Sequence, residues 1–127
     1  MNFILDTHTL IWFFESDTQL SNTAKTMIES TENQSFLSVA SVWEMAIKQG
    51  IGKLNLNKSV DQIISHIMRD GVELIDITAD HALKTGELEM HHKDPFDRLI
   101  ISQSLYLDYP VIGKDEIFDI YSVKRIW

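Results

Sequence analysis

Four acidic residues stand at positions where an α/β chain can build chemistry: Asp6, Glu44, Asp97 and Asp115. Asp6 ends the apolar run Asn2-Phe3-Ile4-Leu5 and precedes Thr7-His8-Thr9. Glu44 lies in Ser41-Val42-Trp43-Glu44, Asp97 in Asp94-Pro95-Phe96-Asp97, and Asp115 in Gly113-Lys114-Asp115-Glu116. Gathered on one rim, such carboxylates repel one another, and some of their pKa values rise unless a cation is present. An oxygen-only donor set in a chain without cysteine suits Mg²⁺ or Mn²⁺ over zinc. Ions of that kind clamp phosphate oxygens and activate water for phosphodiester hydrolysis.

Each acid also has an ordinary structural use. Asp6 could cap the next helix. Ser41 and Glu44 fit a capping box, and Glu44 can pair with Lys48 one turn on. Asp97 in a first helical turn suits the helix dipole, Asp115 could be a loop acid, and Asp94 reads as the helix cap. Yet Glu44 and Asp97 sit among otherwise apolar residues, where an unpaired charge is costly. Lys48, Arg98 and Lys114 lie beside acidic candidates and, with Thr7, are candidate substrate contacts. They would neutralise a phosphate or balance local charge. His8 reads as a supporting or surface residue, and the adjacent His91 and His92 as solvated members of a polar loop.

The acids need a scaffold. The run at residues 2–5 is apolar throughout, as expected of a strand buried on both faces, and Asp6 then lies at its carboxyl end, where open α/β sheets bind ligands. Strand signals recur at Phe36 to Val39, Val72 to Ile77, Pro110 to Ile112 and Val123 to Trp127. Helical signals alternate with them: Thr9 to Phe14; Ser21, with Leu20 as staple, through Glu29; Val42 to Gly50; Ser59 through Met68; Thr78 to about Glu89; and the apolar helix opened by Asp94-Pro95. Residues 50–57 read as a loop. The alternation predicts an α/β fold with a mainly parallel sheet of four to five strands.

At 127 residues the chain is expected to be one domain, residues 1–127, large enough for a core without disulfide or metal staples. The absence of cysteine excludes disulfides, thiolate metal sites and Cys nucleophiles, and fits a cytoplasmic setting. A strand beginning at residue 2 leaves no room for a signal peptide, and the longest apolar run, Leu10 to Phe14, is too short to span a bilayer. The net charge of −8, with 11 basic against 19 acidic residues, argues against tight nonspecific nucleic-acid binding. It accommodates a basic partner or a cluster of cation-binding carboxylates.

Phe-Ile-Leu-Asp6-Thr-His, Ser41-Val-Trp-Glu44-Met-Ala-Ile-Lys48, Asp94-Pro-Phe-Asp97-Arg-Leu-Ile and Gly-Lys-Asp115 together resemble PIN domains, and more narrowly the VapC-type ribonuclease toxins of type II toxin–antitoxin pairs. The similarity runs through to the terminal Val-Lys-Arg-Ile-Trp127. The resemblance implies a three-layer α/β/α fold and a Mg²⁺ or Mn²⁺ site built from Asp6, Glu44, Asp97 and Asp115. It implies endonucleolytic RNA cleavage leaving a 5′-phosphate and a 3′-hydroxyl. It further implies a homodimer, silenced by a small antitoxin through which DNA is contacted indirectly. Two other readings stay open on the residues: an aspartyl-phosphate phosphatase with Asp6 as nucleophile, disfavoured by His8 where a second acid is expected, and a non-catalytic module whose acidic rim binds a basic peptide.

Overall fold

The computed structural model describes all 127 residues. Five strands form one sheet: β1 (Asn2–Leu5), β2 (Gln34–Ser38), β3 (Glu73–Ile75), β4 (Val111–Ile112) and β5 (Arg125–Ile126). Their order is β3-β2-β1-β4-β5, and every pairing is parallel. Seven helices connect them: α1 (Thr7–Glu15), α2 (Asn22–Glu29), α3 (Val39–Gly50), α4 (Val60–Arg69), α5 (Ala79–Thr85), α6 (Pro95–Leu107) and α7 (Ile117–Ile120).

The pleat of β1 explains the layers. Alternate residues point to opposite faces, and β1 is apolar on both: Phe3 and Leu5 enter one core with residues of α1, α2 and α4, while Ile4 enters a second with residues of α6 and α7. All three side chains are fully buried, each contributing about 1.5–3 kcal/mol. Helices therefore cover both faces of the sheet, giving three layers, α/β/α.

The chain steps outward from β1 to β2 and β3, then returns past β1 to place β4 on its other side. β1 is where the winding reverses, and the crevice beyond the carboxyl ends of β1 and β4 is the switch point at which doubly wound sheets bind ligands. The register sets that rim. Leu5 pairs with Leu37 and with Ile112, so Asp6, Ser38 and Gly113 emerge side by side.

The helices mostly start where their caps dictate. The Ser21 hydroxyl accepts from Ala24 N–H, and Ser59 and Gln62 form a reciprocal capping box. Asp94 caps α6 by accepting from the Phe96 and Asp97 N–H groups, with Pro95 at the first helical position. Several boundaries shift from the sequence reading, β2 for one running Gln34–Ser38 with Val39 already helical, and two of the shifts bear on the site. Helix α3 begins at Val39, capped by Ser38 rather than Ser41, so Ser41 and Glu44 form no capping box. Helix α5 stops at Thr85 instead of running to about Glu89, because the carbonyls of Thr85, Leu88 and Glu89 turn inward to Arg98.

Candidate active site

Asp6 occupies the N-cap position of α1, but its side chain makes no capping hydrogen bond. Its carboxyl is only 6% exposed. Burial pushes its pKa up to about 7, reinforced by Asp97 and then by Glu44 and Asp115, against a lowering pull from the Thr7 backbone N–H. Three chain segments far apart in sequence thus bring their carboxylates into the field of the first. The backbone around Asp6 is rigid. Its N–H donates to the Ile112 carbonyl at 3.0 Å, as does the Thr9 hydroxyl at the same distance. Gly113 packs so close that an added Cβ would lie 3.1 Å from the Asp6 Cβ, so a glycine lets the strand β4 exit close onto the acid.

Glu44 projects from α3 and is 4% exposed. Its carboxylate takes a 2.6 Å ion pair from Lys48, one turn along. That hydrogen bond raises the Lys48 pKa, and Asp94 and Asp97 add to the effect. The Lys48 ammonium therefore balances charge within the acid cluster. Trp43, beside Glu44, meets Phe96, beside Asp97, edge-on at 5.0 Å between ring centroids. This aromatic contact sets the spacing of the two helices that carry Glu44 and Asp97.

Asp97 lies in the first turn of α6 and is raised in pKa, chiefly by burial, while a hydrogen bond from His92 acts in the opposite direction. The His92 Nε2 stands 2.7 Å from Asp97 Oδ2. His92, read from sequence as solvated, is held on both sides of its backbone: its N–H donates to Tyr121 Oη at 2.8 Å and its carbonyl accepts from Arg98 at 3.0 Å. The signal that points to it is its place five residues before Asp97, across a Pro-capped helix start that folds the chain back on itself. His92, Asp94 and Asp97 offer ligand atoms that all lie within 4.8 Å of one another. Only Asp97 of the sequence-predicted quartet belongs to that tight group.

Asp115 sits on the loop after β4, exposed, with one oxygen accepting from Ile117 N–H. Of the candidate substrate contacts, Lys114 is exposed on the same loop. The Thr7 hydroxyl is instead consumed inside, donating to Ser41 at 2.8 Å and tying α1 to α3. Arg98 is 8% exposed and turned away from the crevice, donating to the carbonyls of Thr85, Leu88, Glu89 and His92 and to Tyr121 Oη.

The donor set fits a hard divalent cation. Asp6 is a buried carboxylate with no side-chain partner in the field of Asp97, Glu44 and Asp115, and Asp97 in turn groups with Asp94 and the His92 imidazole. Oxygen-rich ligation of this kind suits Mg²⁺ or Mn²⁺.

Among solved structures, the chain is similar to VapBC2 from Rickettsia felis bound to a DNA fragment from their promoter, with 18% identity and a TM-score of 0.72 over 99% of this chain and 98% of that one. It is similar to DNA-bound VapBC from Salmonella typhimurium, with 15% identity and a TM-score of 0.69 over 99% and 97%. A toxin–antitoxin complex from Klebsiella pneumoniae aligns with 19% identity and a TM-score of 0.61 over 91% and 88%. No curated protein matches the sequence. These likenesses concern the fold. No helix is long and apolar enough to cross a membrane. The sequence itself matches the PIN domain family from residue 3 to residue 124, the span that holds all four acids, and the chain is a PIN domain.

Proposed function

We propose that this PIN domain is a divalent-metal-dependent endoribonuclease and the toxin half of a type II toxin–antitoxin pair. The observation that carries the reading is Asp6, a buried, uncapped carboxyl at the winding reversal, its pKa pushed to about 7 by burial and the neighbouring Asp97, Glu44 and Asp115. Asp6 and Asp97 are the principal ligands for Mg²⁺ or Mn²⁺, and Glu44 and Asp115 complete the set directly or through water. A cation so held supplies Lewis-acid activation of water and neutralises charge on the phosphate under attack.

The protein's own groups prepare that event. His92 engages one Asp97 oxygen and leaves the other without a hydrogen-bond partner. Lys48 offsets the Glu44 charge, so the cluster folds before any ion arrives. The Thr7–Ser41 bond and the close approach of Gly113 hold Asp6 in place. Lys114, exposed beside Asp115, is the cation free to meet a substrate phosphate. With a net charge of −8, the chain depends on such local groups to hold RNA. The structural likeness to DNA-bound VapBC complexes supports a small cognate antitoxin as partner, with DNA contacted through it; a homodimer acting in the cytoplasm completes the proposal.

The test is cleavage of a labelled single-stranded RNA by purified protein with Mg²⁺, Mn²⁺ or EDTA, beside Asp6→Asn and Asp97→Asn. Cutting that needs metal and is lost in both folded variants is the expected result. Wild-type rates in Asp6→Asn would sink the site assignment, and no cutting of any RNA by folded wild type would sink the nuclease reading.

A further inference from the structure

An aromatic cluster lies beside the acids and is not used by them. His8, in the first turn of α1, meets Trp12 one turn later at 5.8 Å between centroids, and Trp12 meets Trp127 at 5.8 Å and an interplanar angle of 60°. Lys114 Nζ stands 5.9 Å from the centre of the Trp12 ring. Helical side chains lean toward the helix N-terminus, so Trp12 is carried back toward the rim where Asp6 begins α1. Lys114 adjoins Asp115, and Trp127 follows Ile126, which pairs with Ile112 just before Gly113. All four groups therefore border the acid crevice.

The cluster is only partly explained as core. Trp127 packs against the core that holds Phe3 and Leu5, whereas Trp12 packs into neither core and remains partly exposed, and His8 and Lys114 are exposed. The loop beneath Lys114 is fixed: Arg125 donates to the carbonyls of Gly113 and Lys114, and is itself anchored by two bonds to Asp119 at 3.0 and 3.1 Å. A cation on an anchored loop beside a partly exposed indole offers a ring for stacking and a charge for a phosphate, the pair of features by which single-stranded nucleic acids are held without sequence reading.

We propose that His8, Trp12, Trp127 and Lys114 form a stacking platform for a base of single-stranded RNA, with Lys114 on the adjoining phosphate. The proposal rests on the nuclease reading above and names where that site grips its substrate. Single-stranded RNA is the favoured occupant because the platform continues the acid crevice and supplies a local cation on a chain of net charge −8. Stacking gives affinity that long-range attraction does not.

The experiment has two arms. In the first, Mn²⁺-dependent cleavage of a labelled single-stranded oligoribonucleotide is compared in wild type, Trp12→Leu, Trp12→Phe and Lys114→Gln. Trp12→Leu keeps an apolar side chain but loses the stacking face, and should raise KM about fivefold or more with kcat little changed. Trp12→Phe should recover most of that loss, and Lys114→Gln should lower the slope of log KM against log salt by about one. In the second arm, an uncut oligouridine is titrated in EDTA into Trp43→Phe, whose two remaining tryptophans both belong to the platform, and saturable quenching is expected. Wild-type KM in a folded Trp12→Leu, or absent quenching while wild type cuts RNA, overturns the platform. Wild-type KM in Trp12→Leu together with lost co-purification of a partner protein assigns this face to protein and overturns the RNA assignment. Failure of wild type to cut, by contrast, removes the nuclease reading, and the quenching arm then decides the platform alone.

Discussion

Asp6 and Arg98 are two charged groups buried to nearly the same degree, 6% and 8% exposed, and the fold treats them in opposite ways. Arg98 donates to four backbone carbonyls and a tyrosine hydroxyl, and the carbonyls it gathers belong to the last residue of α5 and the irregular stretch between α5 and α6. Asp6 has no side-chain partner and faces like charges. Removing either charge from water costs several kcal/mol. In one case the protein answers that cost with internal hydrogen bonds, which makes the group an architectural hub. In the other it leaves the cost standing, and that uncompensated charge is the basis on which we propose a cation there.

The contrast is sharpest on stability. Arg98→Met would leave its carbonyl partners unanswered and should destabilise the metal-free protein by about 3–5 kcal/mol in urea unfolding. A variant as stable as wild type would mean that Arg98 is not the hub. Asp6 predicts the reverse sign. Its carboxyl is raised from 3.8 in the unfolded chain to about 7 in the folded one, so the folded state holds the proton longer. The associated stability is fully present below about pH 4, is lost as pH rises toward 7, and levels off above it. In EDTA that loss should amount to at most about 4 kcal/mol, and Asp97, shifted in the same direction, adds to it. Asp6→Asn should flatten the profile and be the more stable protein at pH 8, as read by thermal melts across pH. An unchanged profile would show that Asp6 is already compensated.

Smaller effects come from the elements that link the two regions. His92 is held by the Arg98 hub and bonds Asp97, so His92→Ala should weaken Mn²⁺ binding about 10–100-fold by calorimetry while leaving the melting temperature nearly unchanged. A large stability loss with unaltered metal affinity would place His92 in the hub alone. Tyr121 Oη donates to the Glu89 carbonyl and accepts from the His91 and His92 N–H groups and from Arg98. Tyr121→Phe should cost about 1–2 kcal/mol, with the acid crevice intact.

The same contrast explains what was legible in the sequence. Asp6 was visible because a two-sided apolar strand ending in an acid is a short-range pattern, and the parallel α/β architecture followed from alternating periodicities. The Asp94 cap and Pro95 start of α6 were local as well. Arg98 was misread as a substrate contact because its role is defined by carbonyls of residues 85–92, which carry no side-chain signature. His92 was missed for the same reason, since its orientation depends on Tyr121, 29 residues on. The Ser41–Glu44 capping box failed because Ser38, at the end of β2, competes as a cap and wins. Helix α7 is a single turn, too short for periodicity to reveal.

The placement of β1 at the centre of the sheet has a consequence for synthesis. Its partners are β2, about thirty residues on, and β4, more than a hundred residues on, through Ile4–Val111 and Leu5–Ile112. A ribosome therefore makes the first acid of the crevice long before β4, and the strand that carries it has one unpaired edge until β4 has left the exit tunnel. Asp97 and Asp115 are made on either side of that same late strand. A nascent or prematurely terminated chain short of β4 holds no assembled crevice, so the acidic rim is complete only once the last part of the sheet docks.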